Sequence, residues 1–237
     1  MDPWKFLDNL NIKVYCICLQ ERQDRYYSSL EEFKRIGLDT RVQYYRPQKN
    51  KIGGRIGCWE SHKWCITQTN GMCLIFEDDI KFSNDWYTQL YTIEKFLRET
   101  KNWNMFYLGG IVCELFEQTN DVSQTNCITT HSYFLSQNCV EYLKTSVNFN
   151  PVLYERLQLD VYYYRNFKHN YILNHPICYQ DNGISDNNWS RGIYKFIINY
   201  IQLYFWSLFF KTNNFLFIKL RLPKYLNPSY ISLRYFV

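Results

Sequence analysis

The sequence predicts an α/β domain built on a mostly parallel central sheet covered by helices, and three observations carry that prediction. Short aliphatic or β-branched runs alternate with segments of helical period through the first half of the chain. Gly37, Asn70-Gly71 and Gly109-Gly110 punctuate them where turns or helix ends belong. A composition of 46% hydrophobic and 19% aromatic residues is far too apolar for a disordered chain, and 237 residues suffice for one substantial core with an appendage. The expected organisation is a catalytic domain over residues 1–189 and a basic, aromatic tail over 190–237.

Lys13 to Leu19 is a short apolar run that fits a buried strand. Tyr26, Leu30, Phe33 and Ile36 then recur at helical spacing, with Gly37 placed to end that helix. Val42 to Tyr45 reads as the next strand, and Gly53-Gly54 as a loop. Ile56 to Thr69 is predicted helical, followed by a strand from Met72 to Phe76 that runs directly into acids. Trp86, Leu90, Ile93 and Leu97 mark another amphipathic helix, and Met105 to Leu108 another buried strand. Thr129 to Leu135 is expected as a strand entering a helix at Ser136, with Val140 and Leu143 facing inward. Tyr171 to Leu173 and Ile177 to Tyr179 read as short strands flanking His175-Pro176. No internal repeat and no low-complexity linker interrupts the pattern.

Charge separates the two parts of the chain. No acid lies beyond Asp186, while Arg191, Lys195, Lys211, Lys219, Arg221, Lys224 and Arg234 give +7. The remaining 20 basic residues face 22 acids, so the first 186 residues carry −2 and the net +5 comes from the tail. That distribution argues against a nucleic-acid-binding core and for a basic surface segment. Within the tail, Ile193 to Phe210 is nearly all apolar, but Lys195, Asn199 and Gln202 would form one polar stripe on a helix. A membrane span wants about 20 uninterrupted apolar residues. The stripe therefore favours a helix lying on a membrane surface or packed on the domain's own core.

Nine cysteines without any Cys-x-x-Cys spacing argue against zinc ribbons and thioredoxin-like sites, and fit small buried hydrophobes in a reducing compartment. Residues 1–10 lack the basic start and apolar run of a secretory signal, so the expected location is cytoplasmic, with peripheral membrane contact through the tail.

The strongest local signal is Glu77-Asp78-Asp79, three acids delivered by a buried strand. In open α/β sheets, ligands collect beyond the carboxyl ends of strands. Because side chains alternate along a strand, Glu77 and Asp79 are predicted to point together and Asp78 elsewhere. Carboxylates are the ligands that Mn²⁺ or Mg²⁺ takes alongside phosphate oxygens, whereas the plain alternative is a solvated acidic loop.

Val14 to Leu19 with Arg22, Asp24 and Arg25 forms the first of six ordered blocks. Gly57-Cys58 with Ser61-His62, Leu74 to Asp79, Tyr107 to Gly110, Thr130 to Tyr133, and Gln180 with Ser185-Asp186 are the others. Together, over residues 13–186, they resemble glycosyltransferase family 25, which includes lipooligosaccharide and collagen galactosyltransferases. Ser132 departs from the family's alanine, and Leu157 from its small or proline residue.

The resemblance implies a GT-A-like, Rossmann-type nucleotide-sugar fold, a UDP-sugar donor, a divalent cation, and transfer with inversion, usually of galactose. Asp160 matches the position expected for the base; its other role would be to cap a helix. Asp79, Glu77 and His131 are the candidate metal ligands. Arg25, Ser61, His62, Glu77, Asp78, Gly109 and Gly110 are the candidate nucleotide-sugar contacts, although each also admits a purely structural role. Hydroxyl acceptors of glycan, glycolipid or protein type all remain open. So do two other readings: an inactive scaffold that binds membranes, and a metal-dependent nucleotidyltransferase, against which the glycine-free Arg22 to Arg25 turn speaks.

Overall fold

The computed structural model describes residues 2–145 and 158–181. The predicted tail, the boundary at 189/190 and the Ser185-Asp186 part of the last block lie outside these residues.

The core is a mixed eight-stranded sheet. In chain order its strands are β1 (Lys13–Ile17), β2 (Val42–Tyr45), β3 (Cys73–Glu77), β5 (Met105–Tyr107), β6 (Ile111–Gln118), β7 (Val122–Ile128), β8 (Ser132–Leu135) and β9 (Asn170–Leu173). They lie side by side as β2-β1-β3-β8-β5-β9-β7-β6. β1 pairs in parallel with β2 and β3, and β5 with β9, while β8 and β7 run antiparallel to their neighbours. Six of the eight strands therefore point one way, as a mostly parallel sheet requires. A two-stranded ribbon joins β4 (Ile80–Phe82) to β10 (Cys178–Gln180).

Helices cover both faces because the central strands are apolar on both sides. Residues 73–76 are buried at every position, the signature of a strand with no solvated face. On one face Val14, Cys16, Leu74, Phe76, Phe106 and Phe134 join one core with residues of three helices. These are α1 (Lys5–Asn9), α2 (Gln23–Ile36) and α4 (Leu90–Glu99). Phe33 of α2 meets Phe76 with ring centroids 5.2 Å apart, and Phe96 of α4 stacks on Phe106 at 4.2 Å.

The opposite face carries α3 (Gly54–Thr67), α5 (Gln137–Thr145) and α6 (Leu159–Asn166). There Tyr15 meets Trp64 of α3 at 6.0 Å, and Tyr133 meets Tyr163 of α6 at 5.9 Å.

Local signals explain the element ends. Gly37 has φ 72°, its N–H bonding the Lys34 carbonyl while Leu38 N–H bonds that of Phe33, the paired closure of a Schellman end. The predicted helix 56–69 is shifted to Gly54–Thr67, so Gly54 belongs to the helix rather than to a loop. The β6–β7 hairpin and β4 escaped the sequence reading. β6 mixes Ile111, Val112, Cys113, Leu115 and Phe116 with three polar residues, is half solvent-exposed and is broken by register shifts at Val112/Glu114 and Leu115/Glu117, so it lacks the strict alternation that identifies a strand. All nine cysteines are unpaired, and seven are buried, as small hydrophobes would be.

Trp4 ties the N-terminal helix to the domain. It is fully buried, stacks on Trp86 at 5.6 Å, and donates its indole N–H to the Ile36 carbonyl at 2.9 Å. Trp4→Ala is expected to cost about 3–5 kcal/mol, read as a lower urea midpoint of the full chain.

Candidate functional site

The candidate site forms at the carboxyl ends of β1 and β3, which lie in parallel with Ile17 opposite Glu77. β3 stops at Glu77, and Asp78-Asp79 form the turn that leads into β4. The turn decides where the acids point. Strand alternation would have set Glu77 and Asp79 on one side, but it applies only to extended backbone. Instead Asp78 and Asp79 share Arg25: its Nη1 lies 2.8 Å from Asp78 Oδ1 and 3.6 Å from Asp79 Oδ2. The Gln180 amide donates to Asp79 Oδ1 at 3.4 Å, so the last sequence block closes over the acidic one.

Glu77 turns the other way. Thr130 donates its hydroxyl to Glu77 Oε1 at 2.6 Å, and His62 Nε2 lies 3.4 Å from the same oxygen. His62 is buried on α3 with its Nδ1 2.6 Å from the Tyr133 hydroxyl, so helix and sheet together fix its ring. Burial works against a charge on Glu77, but His62, the Thr130 hydroxyl and His131 outweigh it and hold the carboxyl at about 2.

Asp160 has the opposite balance. It sits in the first turn of α6, where its carboxylate accepts N–H bonds from Val161 at 2.8 Å and Thr129 at 3.3 Å. Burial pushes its carboxyl above the ordinary range, and the charge of Glu77 adds to that push. Burial likewise raises Asp78 in spite of Arg25. Two neighbouring carboxyls driven apart, one held ionised and one made basic, are what acid–base chemistry needs. The backbone beside Asp160 is strained: Thr129 has φ 95°, rare for a β-branched residue.

His131 is buried with its Nε2 3.5 Å from the Cys178 carbonyl, and its Nδ1 has no hydrogen-bond partner among the described residues. Burial pushes it down to about 4, so it is a neutral imidazole near pH 7. Gly109 makes this contact possible. A Cβ there would lie 1.8 Å from the Cys178 carbonyl oxygen and 3.1 Å from His131 Nε2. Gly110 is less constrained, with Cys127 Cβ 3.4 Å from where its own Cβ would be. Ser61 takes no part in the cluster: its hydroxyl bonds back to the Gly57 carbonyl at 2.7 Å within α3.

The expected metal set of Glu77, Asp79 and His131 is not gathered in this arrangement. Among the described residues, Cys58, His62 and Glu77 are the three whose ligand-capable atoms lie within 4.8 Å of one another. Cys58, Thr130 and Tyr133 were not singled out as site residues. The separation of four between Cys58 and His62 on a predicted helix was the available signal for the first. The other two depend on the antiparallel pairing of β8 with β3.

No family model and no curated protein matches the chain. Solved structures similar to it include a Bacillus anthracis protein assigned as a glucose-1-phosphate thymidylyltransferase, in complex with sucrose. It is 14% identical, covers 89% of this chain and 81% of its own, and has a TM-score of 0.43. A glycosyltransferase involved in glycosylating the major capsid of PBCV-1 is 12% identical, over 62% and 77%, at 0.34. HddC from Yersinia pseudotuberculosis is 12% identical, over 71% and 73%, at 0.37. Likeness at these scores carries no functional weight, and the site's own residues have to supply it.

Two outcomes follow from the electrostatics and the packing. A carboxyl raised on folding favours the folded state below its unfolded value, near pH 3.9, and that advantage is lost as pH rises through the folded value. Asp160→Asn should therefore match or exceed the wild type in thermal stability at pH 7, with the difference disappearing in acid. Gly109→Ala, by contrast, should lower stability by at least about 1–3 kcal/mol in differential scanning calorimetry.

Proposed function

We propose that the chain is an inverting glycosyltransferase that moves a hexose, galactose first among candidates, from a UDP-sugar to a hydroxyl of a glycan, glycolipid or protein. The observation that carries this reading is the convergence of Arg25, Asp78 and Asp79 with Glu77, His62 and Asp160 at the carboxyl ends of β1 and β3. The six sequence blocks resembling glycosyltransferase family 25 supply most of these residues, and a GT-A-type nucleotide-sugar fold is consistent with the mixed sheet and its two helical layers.

Each residue has a definable task. Arg25 presents a guanidinium whose planar fork suits diphosphate oxygens, and its pairing with Asp78 holds that fork in place. Two carboxylates, Asp78 and Asp79, against one arginine leave a negative surplus of oxygen donors, the chemistry that Mn²⁺ or Mg²⁺ selects. Asp79 and Asp78 are the proposed ligands, since Glu77 turns away toward His62 and Thr130. A bound ion would neutralise charge on the departing UDP.

Asp160 takes the acceptor's proton as the hydroxyl attacks from the face opposite the leaving group. Its raised proton affinity makes it a stronger base than an exposed aspartate. His131, neutral and packed against Gly109, shapes the wall near the sugar. No helix among the described residues is long and apolar enough to cross a membrane. Peripheral contact through residues 190–237 is the companion proposal for a cytoplasmic enzyme working at a membrane surface. Unchanged liposome association after deleting residues 190–237 would remove it.

The direct test follows UDP release from a panel of UDP-sugars with Mn²⁺, Mg²⁺ or EDTA. Slow hydrolysis of one sugar, lost in EDTA, is expected. Pyrophosphate release from a nucleoside triphosphate and a sugar phosphate would instead assign nucleotidyl transfer. In the same assay Asp160→Asn should keep UDP and metal binding while transfer falls about 10²–10⁴-fold. Asp79→Asn should abolish the metal-dependent turnover, and full activity in either variant removes that residue from the mechanism.

A further inference from the structure

We propose that Cys58, His62 and Glu77 form a three-ligand site for a thiophilic divalent cation, Zn²⁺ or Co²⁺, distinct from the oxygen-donor pair Asp78 and Asp79 at Arg25. The site lies among the residues assigned above to sugar transfer, but binding there does not depend on that reaction.

α3 supplies two ligands from one face. Cys58 and His62 are four residues apart, so they stand one helical turn above each other. Glu77 comes to meet them from the end of β3, and the sulfur, nitrogen and oxygen atoms all lie within 4.8 Å of one another. Zinc bonds of about 2.0–2.3 Å in tetrahedral geometry set ligand atoms about 3.3–3.8 Å apart. The 3.4 Å between His62 Nε2 and Glu77 Oε1 is already within that interval, and only modest side-chain adjustment brings in the sulfur.

The surroundings are those of a metal site rather than of a chance cluster. A ligating histidine characteristically uses its other ring nitrogen to hold a second partner, and His62 Nδ1 is engaged by Tyr133 at 2.6 Å. Once a cation is bound, the ring would keep its proton on Nδ1 toward that hydroxyl and Nε2 would give its lone pair to the metal in place of its contact with Glu77. Glu77 is steadied in the same way by the Thr130 hydroxyl at 2.6 Å. Thiolate, imidazole and one carboxylate carry two negative charges against a dication. Sulfur and nitrogen donors select zinc-like ions, whereas Mg²⁺ prefers all-oxygen surroundings. Three protein ligands leave a fourth position for water or a substrate oxygen.

A cysteine binds a cation as its thiolate, so binding exchanges the thiol proton, released to solvent, for a sulfur–metal bond, and affinity should rise with pH.

The experiment titrates chelator-treated full-length protein with Co²⁺ and then Zn²⁺. One Co²⁺ per chain is expected, with thiolate-to-metal charge-transfer absorption in the near ultraviolet that Zn²⁺ displaces. Cys58→Ser should lose that band and bind Zn²⁺ at least about tenfold more weakly. A wild-type measurement guards against misfolding of the variant: Zn²⁺ should slow alkylation of Cys58, followed by peptide mass spectrometry. Absence of Co²⁺ binding, a Co²⁺ spectrum without the thiolate band, a band that survives Cys58→Ser, or unchanged Cys58 alkylation each overturns the proposal. Mn²⁺-dependent UDP-sugar turnover could persist through all of these, so failure here is distinguishable from failure of the transferase reading.

Discussion

Three carboxylates delivered by one buried strand repel each other and resist desolvation, so everything around the end of β3 has to compensate charge. Four buried apolar residues lead to Glu77, and the chain then turns at once. The compensation is divided. Arg25 from α2 answers Asp78 and Asp79 on one side, while His62 from α3 and Thr130 answer Glu77 on the other. Because α2 and α3 cover opposite faces of the sheet, the acidic turn ties both helical layers to its central strand.

This division explains why neighbouring groups differ in proton affinity. Glu77 has an imidazole and a hydroxyl beside it and stays ionised into strong acid. Asp160 is also enclosed, and the backbone N–H groups of Val161 and Thr129 that bond it do not offset burial. Burying Asp160 without a cationic partner among the described residues sacrifices stability for basicity, the kind of local violation that active sites retain while the rest of a fold satisfies itself.

Backbone approach is the second constraint on the site. Gly109 allows the Cys178 carbonyl to lie where any side chain would collide, which brings the end of β5 against the start of β10 and seats His131 beside them. The β10–β4 ribbon then carries Gln180 onto Asp79. Elements far apart in sequence thus reach one turn through a single missing Cβ.

How much of this was legible in the sequence varies with the range of the interaction. Helices and strands of strong period were readable, as was the glycine that ends α2, because period and capping are local properties. The acidic triplet at a strand end was readable for the same reason. The β6–β7 hairpin was not, since its bulged first strand carries no strict alternation. The direction of each acid was not either: alternation put Glu77 with Asp79, but the strand ends at Glu77, two residues before Asp79. Which carboxylate Arg25 meets, and that Cys58 and His62 stand against Glu77, were decided only by the packing of α2 and α3 on opposite faces of β3. Sequence by itself determined which residue types arrive at the site, because local chemistry sets strands, turns and helices. Tertiary structure decided their pairing and their proton affinities, because distance and burial exist only once the sheet and its two helical layers have closed.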